Sequence, residues 1–254
     1  MTYNQQENEV EYCNASHWLT LLPLPVPGSS SLLPVSTCKQ IALEQNSFFR
    51  NGQYWIRPSS NDPPFQVFCD ASEGWTLIMK VNGNQQTFDY NNDLWSNKNT
   101  FQSNNLDLDD KETKLASYWT LPFTELRLGM KVDGTIRWIT FNYSASSLYN
   151  LIADGQYRNT NIGKSKWKSL LPTLYLQENC NKEGFNIQGH GRGARLGLMG
   201  NSENDCNTPD SYLGFGLFYT TTEPSSAGNY QVPRAIDSYR VTKRLRVLAV
   251  TGNK

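Results

Sequence analysis

The sequence predicts an α+β domain, and three features point to it. Short runs of β-branched and aromatic residues recur along the chain, many of them closed by Gly, Pro or Asn. A few helix-compatible runs lie between them, none of them long. The connecting stretches are long, polar and rich in Asn, and no internal repeat with a period of about 20–50 residues is present.

Residues 1–37 differ from the rest. Pro23, Pro25, Pro27 and Pro34 surround a Gly-Ser cluster. Proline fixes φ and removes an amide donor, which opposes both a helix and a central strand. The segment is too apolar for a free linker, so Leu21, Leu22, Leu24 and Leu32 are expected to cover an apolar patch on this protein or on a partner. Residues 1–37 are thus a Pro-rich N-terminal arm, and residues 38–254 the domain. Cys38 to Phe49 is helix-compatible, with Ile41, Leu43, Phe48 and Phe49 apolar and no breaker. Asn51-Gly52 marks a turn. Strands are expected at Gln53–Arg57, Phe65–Cys69, Gly74–Val81 and Arg137–Phe141. Short helices follow at Ser147–Ala153, stopped by Asp154-Gly155, and at Lys164–Leu171, stopped by Pro172. The strand Ala194–Met199 leads through a polar loop to Leu213–Tyr219, and a last strand lies within Tyr239–Val250.

Lys+Arg and Asp+Glu both number 23, so the chain carries no net charge. It lacks the positive field that draws a protein to nucleic acid and the polybasic patch that holds one on anionic lipid. No apolar run approaches the roughly 18 residues of a membrane-spanning helix. The opening MTYNQQENEVEY is too polar for a signal peptide, and Met1 reads as an artificial start or a trimmed mature end. His17 and His190 are the only histidines, no G-x-S-x-G occurs, and nothing marks a pair of opposed carboxylates. A non-enzyme is expected. The segment Gly189–Ala194 has the glycines of a dinucleotide loop, but a strand follows it where that site needs a helix. Five cysteines occur without a C-x-x-C pair, and the odd count leaves one over. Asn14 and Asn142 each head an N-x-[ST] sequon.

One stretch is more specific. It runs Cys38-Lys39-Gln40-Ile41, Gly52-Gln53-Tyr54-Trp55-Ile56-Arg57-Pro58, Phe65-Gln66-Val67-Phe68-Cys69-Asp70, then Gly74-Trp75-Thr76-Leu77-Ile78. This ordered set resembles the opening of a fibrinogen-like domain. Later segments, among them Asp93–Lys98, Glu112–Trp119, Ala153–Tyr157, Asn179–Asn186 and Gly200–Cys206, resemble a divergent branch of that superfamily related to ficolin- and intelectin-type lectins. The resemblance spans roughly residues 38–220.

It implies an extracellular, usually oligomeric protein that binds acetylated or otherwise modified glycans with the help of calcium and does no catalysis. It also implies that Cys38 ties the first helix to the strand carrying Cys69. Cys180 is expected to pair with Cys206, with Cys13 as the alternative partner; otherwise Cys13 is an intermolecular or tail-anchoring thiol. In the late loop, Asn201, Glu203 and Asp205 alternate, and Asn207 and Asp210 follow. Calcium takes roughly six to eight hard oxygens, and these residues are the expected ligands. The loop is no EF-hand, because Cys206 stands where that motif needs Gly and Tyr212 where it needs Glu. His190, Arg192, Tyr212 and Phe215 are expected to border the sugar. Asp107, Asp109 and Asp110 form a second acidic cluster that reads chiefly as a solvated loop. The other function the sequence allows is a structural or adhesive subunit of an extracellular assembly, with the arm and Cys13 making the contacts.

Overall fold

The computed structural model describes residues 2–4, 9–14, 17–21, 26–43, 50–171, 176–219, 225–231, 242–243 and 245–251. Three strands open the chain: β1 (Thr2–Asn4), β2 (Glu9–Asn14) and β3 (His17–Leu21). They form an antiparallel meander of their own. There follow α1 (Cys38–Leu43), β4 (Gly52–Ile56), β5 (Phe65–Asp70) and β6 (Trp75–Asn82). A single 3-10 turn at Asp93–Trp95 precedes β7 (Thr113–Lys114), α2 (Ser117–Thr120), β8 (Phe123–Val132) and β9 (Thr135–Ala145). Next are α3 (Leu148–Ile152), β10 (Arg158–Asn159), α4 (Lys164–Lys168), β11 (Asn179–Gly189) and β12 (Arg192–Asn201). The chain closes with β13 (Ser211–Tyr219), β14 (Ser225–Gln231), β15 (Thr242–Lys243) and β16 (Leu245–Thr251).

This corrects the expected fold class. Among the described residues sixteen strands lie in three antiparallel sheets, against four helices of four to six residues, so the protein is mainly β rather than α+β. The seven-stranded sheet runs β4-β5-β6-β16-β8-β9, with β7 paired to β6; the six-stranded sheet runs β10-β11-β12-β13-β14-β15. The excess of strand comes chiefly from elements beyond those expected from the sequence, among them β8, β11 and β14. In β8, Leu126, Leu128, Met130 and Val132 alternate and are all buried, as one covered sheet face requires. The hairpin to β9 closes on Asp133-Gly134, both with positive φ (50° and 82°), and pairs Val132 with Thr135. A two-residue turn of that kind matches the twist of the strands. The C-terminal strand β16 pairs with both β6 and β8, so the end of the chain completes the middle of the sheet.

One core joins the two large sheets. Ile78, Met79 and Val81 of β6 and the apolar face of β8 share it with Phe185, Leu196, Leu198, Leu213 and Phe215 from the other sheet, while Trp95, Tyr118, Leu148 and Trp167 fill the space between. A second cluster, with Val35, Cys38, Ile41, Ile56, Val67 and Cys69, lies under α1. Residues 26–37 run along β4, where the Val35 amide donates to the Trp55 carbonyl, the Arg57 amide to the Val35 carbonyl and the Trp55 amide to the Gly28 carbonyl. This covers the outer strand of the sheet. Val35 is the buried apolar residue there; Leu32 is 89% exposed and covers no patch of this chain. Leu22, Leu24, Phe48, Phe49 and Pro172 lie outside the described residues, and so does the side chain of Leu21.

Candidate functional site

The expected cysteine pairs form. Cys38 is bonded to Cys69 and Cys180 to Cys206, while Cys13 is an exposed free thiol on β2. The pairs close stretches of 31 and 26 residues. In the chain-entropy picture each closure is worth about 3.5 kcal/mol. Two disulfides fit maturation in an oxidising compartment, and among the described residues no helix is long and apolar enough to cross a membrane.

The loop from β12 to β13 carries the expected calcium ligands; Asn201 and Asp205 are hydrogen-bonded within the loop, and Asn207 and Asp210 are held by residues of the neighbouring hairpin. Asn201 is buried; its amide nitrogen donates to the Asp205 carbonyl (2.9 Å) and the Thr208 carbonyl (3.1 Å), and its oxygen accepts from the Ser202 amide (2.7 Å). The two Asp205 oxygens accept from the Thr208 hydroxyl (2.6 Å) and the Asn207 amide (2.8 Å), which holds this carboxyl below the usual range. The Asn207 carbonyl accepts from the His190 amide at 2.5 Å, and Asp210 is paired with Arg192 at 3.1 Å. Glu203 is exposed. These residues share one turn, and among the described residues no three His, Cys, Asp or Glu side chains gather as metal ligands do.

The expected sugar-site residues separate. Gly189 pairs with Arg192, so His190-Gly191 is the hairpin turn between β11 and β12. His190 is exposed there, and Arg192 is half-buried and reaches the Pro209 carbonyl as well as Asp210. Tyr212 and Phe215 are fully buried. Tyr212 packs with Ile187, Ala194, Met199 and Leu217, and Phe215 belongs to the large core. Neither ring offers a face for a sugar, because β13 is an inner strand of its sheet with side chains covered on both sides. In the second acidic cluster the charges are engaged as well. The buried Lys80 ammonium is held by the Asp107 carbonyl and the Asp109 carboxylate, and Asp110 pairs with Lys131 at 2.8 Å. Burial opposes the ionisation of Asp109, but the hydrogen bond and charge of Lys80 outweigh it and hold the carboxyl low. Burial lowers Lys80 in turn.

An open polar cleft lies elsewhere, where the outer strands of the two large sheets meet. Thr140, Phe141, Asn142 and Tyr143 of β9 face Asn159, Thr160 and Asn161, with Lys166 of α4 closing one end, around an open cleft of about 410 Å³. The sequence predicts the sequon at Asn142 but not this setting. Asn142, Asn159 and Asn161 are exposed, and among the described residues none spends its side-chain amide on a hydrogen bond. The Lys166 ammonium is tied to the Thr140 carbonyl. The Tyr143 ring rests edge-on against Phe185 at 5.0 Å.

The far wall is fixed by one carboxylate. Glu183 of β11 accepts from the Thr160 hydroxyl (3.0 Å), the Ile162 amide (3.1 Å), the Gly163 amide (2.9 Å) and the Trp167 indole (2.7 Å). Gly163, with φ of 84°, stands just before α4, so Glu183 also satisfies donors that this short helix leaves open at its start. Arg158 grips Asp154 at 2.6 and 2.8 Å and shapes the turn that leads into β10. That pairing holds the Asp154 carboxyl down at about 2. A run of three polar residues, Asn159-Thr160-Asn161, was the visible sequence signal; nothing local showed that Glu183 would meet them.

Of the sequons, Asn142 is exposed on β9; Asn14 ends β2, and Ala15 and Ser16 lie outside the described residues. No family model matches the chain, and no curated protein matches it.

Proposed function

We propose that this chain is an extracellular, non-catalytic recognition domain that holds a neutral glycan in the cleft between β9 and β10. The observation that carries it is the set of three Asn amides that have no partner among the described residues around one cleft, beside an aromatic wall. Each amide both donates and accepts, which matches sugar hydroxyls and acetamido groups. A concave site with a few convergent polar groups beside aromatic surface is the usual form of a small-ligand site. Among the described residues no carboxylate lines the cleft, and Glu183 is committed to four donors, so the polar groups there are amides and hydroxyls rather than the acid pair of a glycoside hydrolase. The two disulfides and the fibrinogen-like opening agree with an extracellular lectin. No step is routed through calcium.

A glycan array probed with the full chain, with and without chelator, tests the proposal. The expected result is selective binding that chelator leaves unchanged and that Asn159→Ala with Asn161→Ala removes. Loss of binding on chelation would return the role to Asn201–Asp210. The exposed Cys13 thiol favours a second function, an assembly subunit joined through the N-terminal meander. A disulfide-linked dimer on a non-reducing gel, absent in Cys13→Ser, is its signature.

A further inference from the structure

Asn142 is both part of the cleft and the acceptor of a sequon. It lines the cleft and is exposed, and Ser144, two residues on, is exposed as well. The pairing of β9 with β8 shifts register between Asn142 and Ala145, so a bulge interrupts the alternation there, and the sequon is open through the exposure of both Asn142 and Ser144. β9 is the outer strand of its sheet, so no further strand stands between Asn142 and the facing residues of β10. The geometry points to a self-closing site: N-glycosylation of Asn142 places the chain's own first sugar residues in the cleft and shuts it to other glycans. This inference rests on the cleft being a glycan site.

The chemistry balances with a lipid diphosphate-linked oligosaccharide as donor. The Asn142 amide nitrogen forms a bond to the sugar C1 and loses one proton. The bond from C1 to phosphate oxygen breaks, and the lipid diphosphate leaves. The attached sugar meets the amides of Asn159 and Asn161 across the cleft and the side of Tyr143, the groups that serve a foreign glycan. A ligand on a short tether sees an effective concentration in the millimolar range, and the apparent affinity for free glycan falls by one plus the ratio of that concentration to the dissociation constant of the attached sugar, about tenfold when that constant is about 0.1 mM. Unmodified chain is open and modified chain is closed, and occupancy at Asn142 sets the fraction that binds.

The experiment compares the full chain from a glycosylating secretory host with Ser144→Ala from the same host. That variant keeps Asn142 and removes the sequon. Peptide mass mapping reads occupancy, the glycan array reads binding, and NMR reads contacts between the attached sugar and the Tyr143 ring. The expected outcome is occupied Asn142 in the parent, sugar contacts to Tyr143, and array signals at least tenfold weaker than those of Ser144→Ala. An unmodified Asn142, or a modified one without contacts to Tyr143, overturns the inference. So does equal array binding by both forms. If neither form binds any glycan while the contacts are present, the attached sugar occupies the cleft and it is the recognition function that fails.

Discussion

Replacing Glu183 with alanine removes a carboxylate that serves four donors at once. Trp167 is fully buried and Ile162 nearly so (8% exposed), so their N–H groups lose the only acceptor they have among the described residues. A buried donor left without a partner costs about 1–3 kcal/mol. The Thr160 hydroxyl can turn to another acceptor, and Gly163 is exposed, so water takes over its amide. The two stranded donors together give an expected loss of about 3–4 kcal/mol for Glu183→Ala, with some water entry holding it below the upper sum. Glu183→Gln keeps the shape and one acceptor oxygen but turns an amide N–H₂ towards donors, and about 1–2 kcal/mol is expected. Urea unfolding followed by tryptophan fluorescence measures both, with the slope against urea unchanged if only stability has moved. Below the unfolding midpoint, glycan binding falls as well, because Thr160 and Asn161 lose their anchor. An alanine variant within 1 kcal/mol of the parent would refute the role assigned to this carboxylate.

Other outcomes follow from the same geometry. Burial pushes the Lys114 ammonium down to about 8, against the carbonyls of Leu94 and Asn97 that hold its charge in place. An unfolded lysine titrates near 10.4, so between about pH 8 and 10 the unfolded chain binds the extra proton and stability rises with pH. Burial also raises Tyr90 and Tyr118, so stability falls again once unfolded tyrosine ionises above about pH 10. A melting temperature that drops steadily from pH 8 to 9.5 would contradict this. Gly184 has φ of 140°, and a Cβ there would lie 2.1 Å from the Arg158 carbonyl. Gly184→Ala is expected to part β10 from β11 and cost about 2 kcal/mol or more, measured by urea unfolding. Deleting residues 245–254 removes the strand between β6 and β8, and loss of cooperative thermal unfolding is expected; a normal transition would refute the place of β16.

Much of the local structure was legible because local patterns carry it. Gly52–Ile56, Phe65–Asp70 and Trp75–Asn82 follow turn signals and strand-forming residues, and Ser147 caps α3 with its hydroxyl on the Asn150 amide. The fold class was misread where patterns were passed over or absent. The alternation of β8 was there to be read. In β11, Cys180, Asn181 and Asn186 all have positive φ, so no clean period of two marks that strand. The placement of β16 depends on partners more than a hundred residues away, beyond any local signal. The late loop shows the limit for sites. Oxygen side chains at alternate positions announce a polar turn, but spacing cannot tell whether Asp205 faces an ion or its own backbone. The cleft was not legible because its walls, though close in sequence, lie on the edges of two different sheets, and no local pattern tells which strands leave such edges side by side.

The cleft itself is tested most directly by titrating a glycan found on the array into the sequon-free Ser144→Ala chain, followed by calorimetry. The same chain with Asn159→Ala and Asn161→Ala is the comparison, each with and without chelator. Saturable binding that is indifferent to chelator and at least about tenfold weaker without the two amides is the predicted result, since losing two hydrogen bonds of ordinary strength amounts to that much. Equal binding by both chains, or binding that vanishes with chelator alone, would contradict the account.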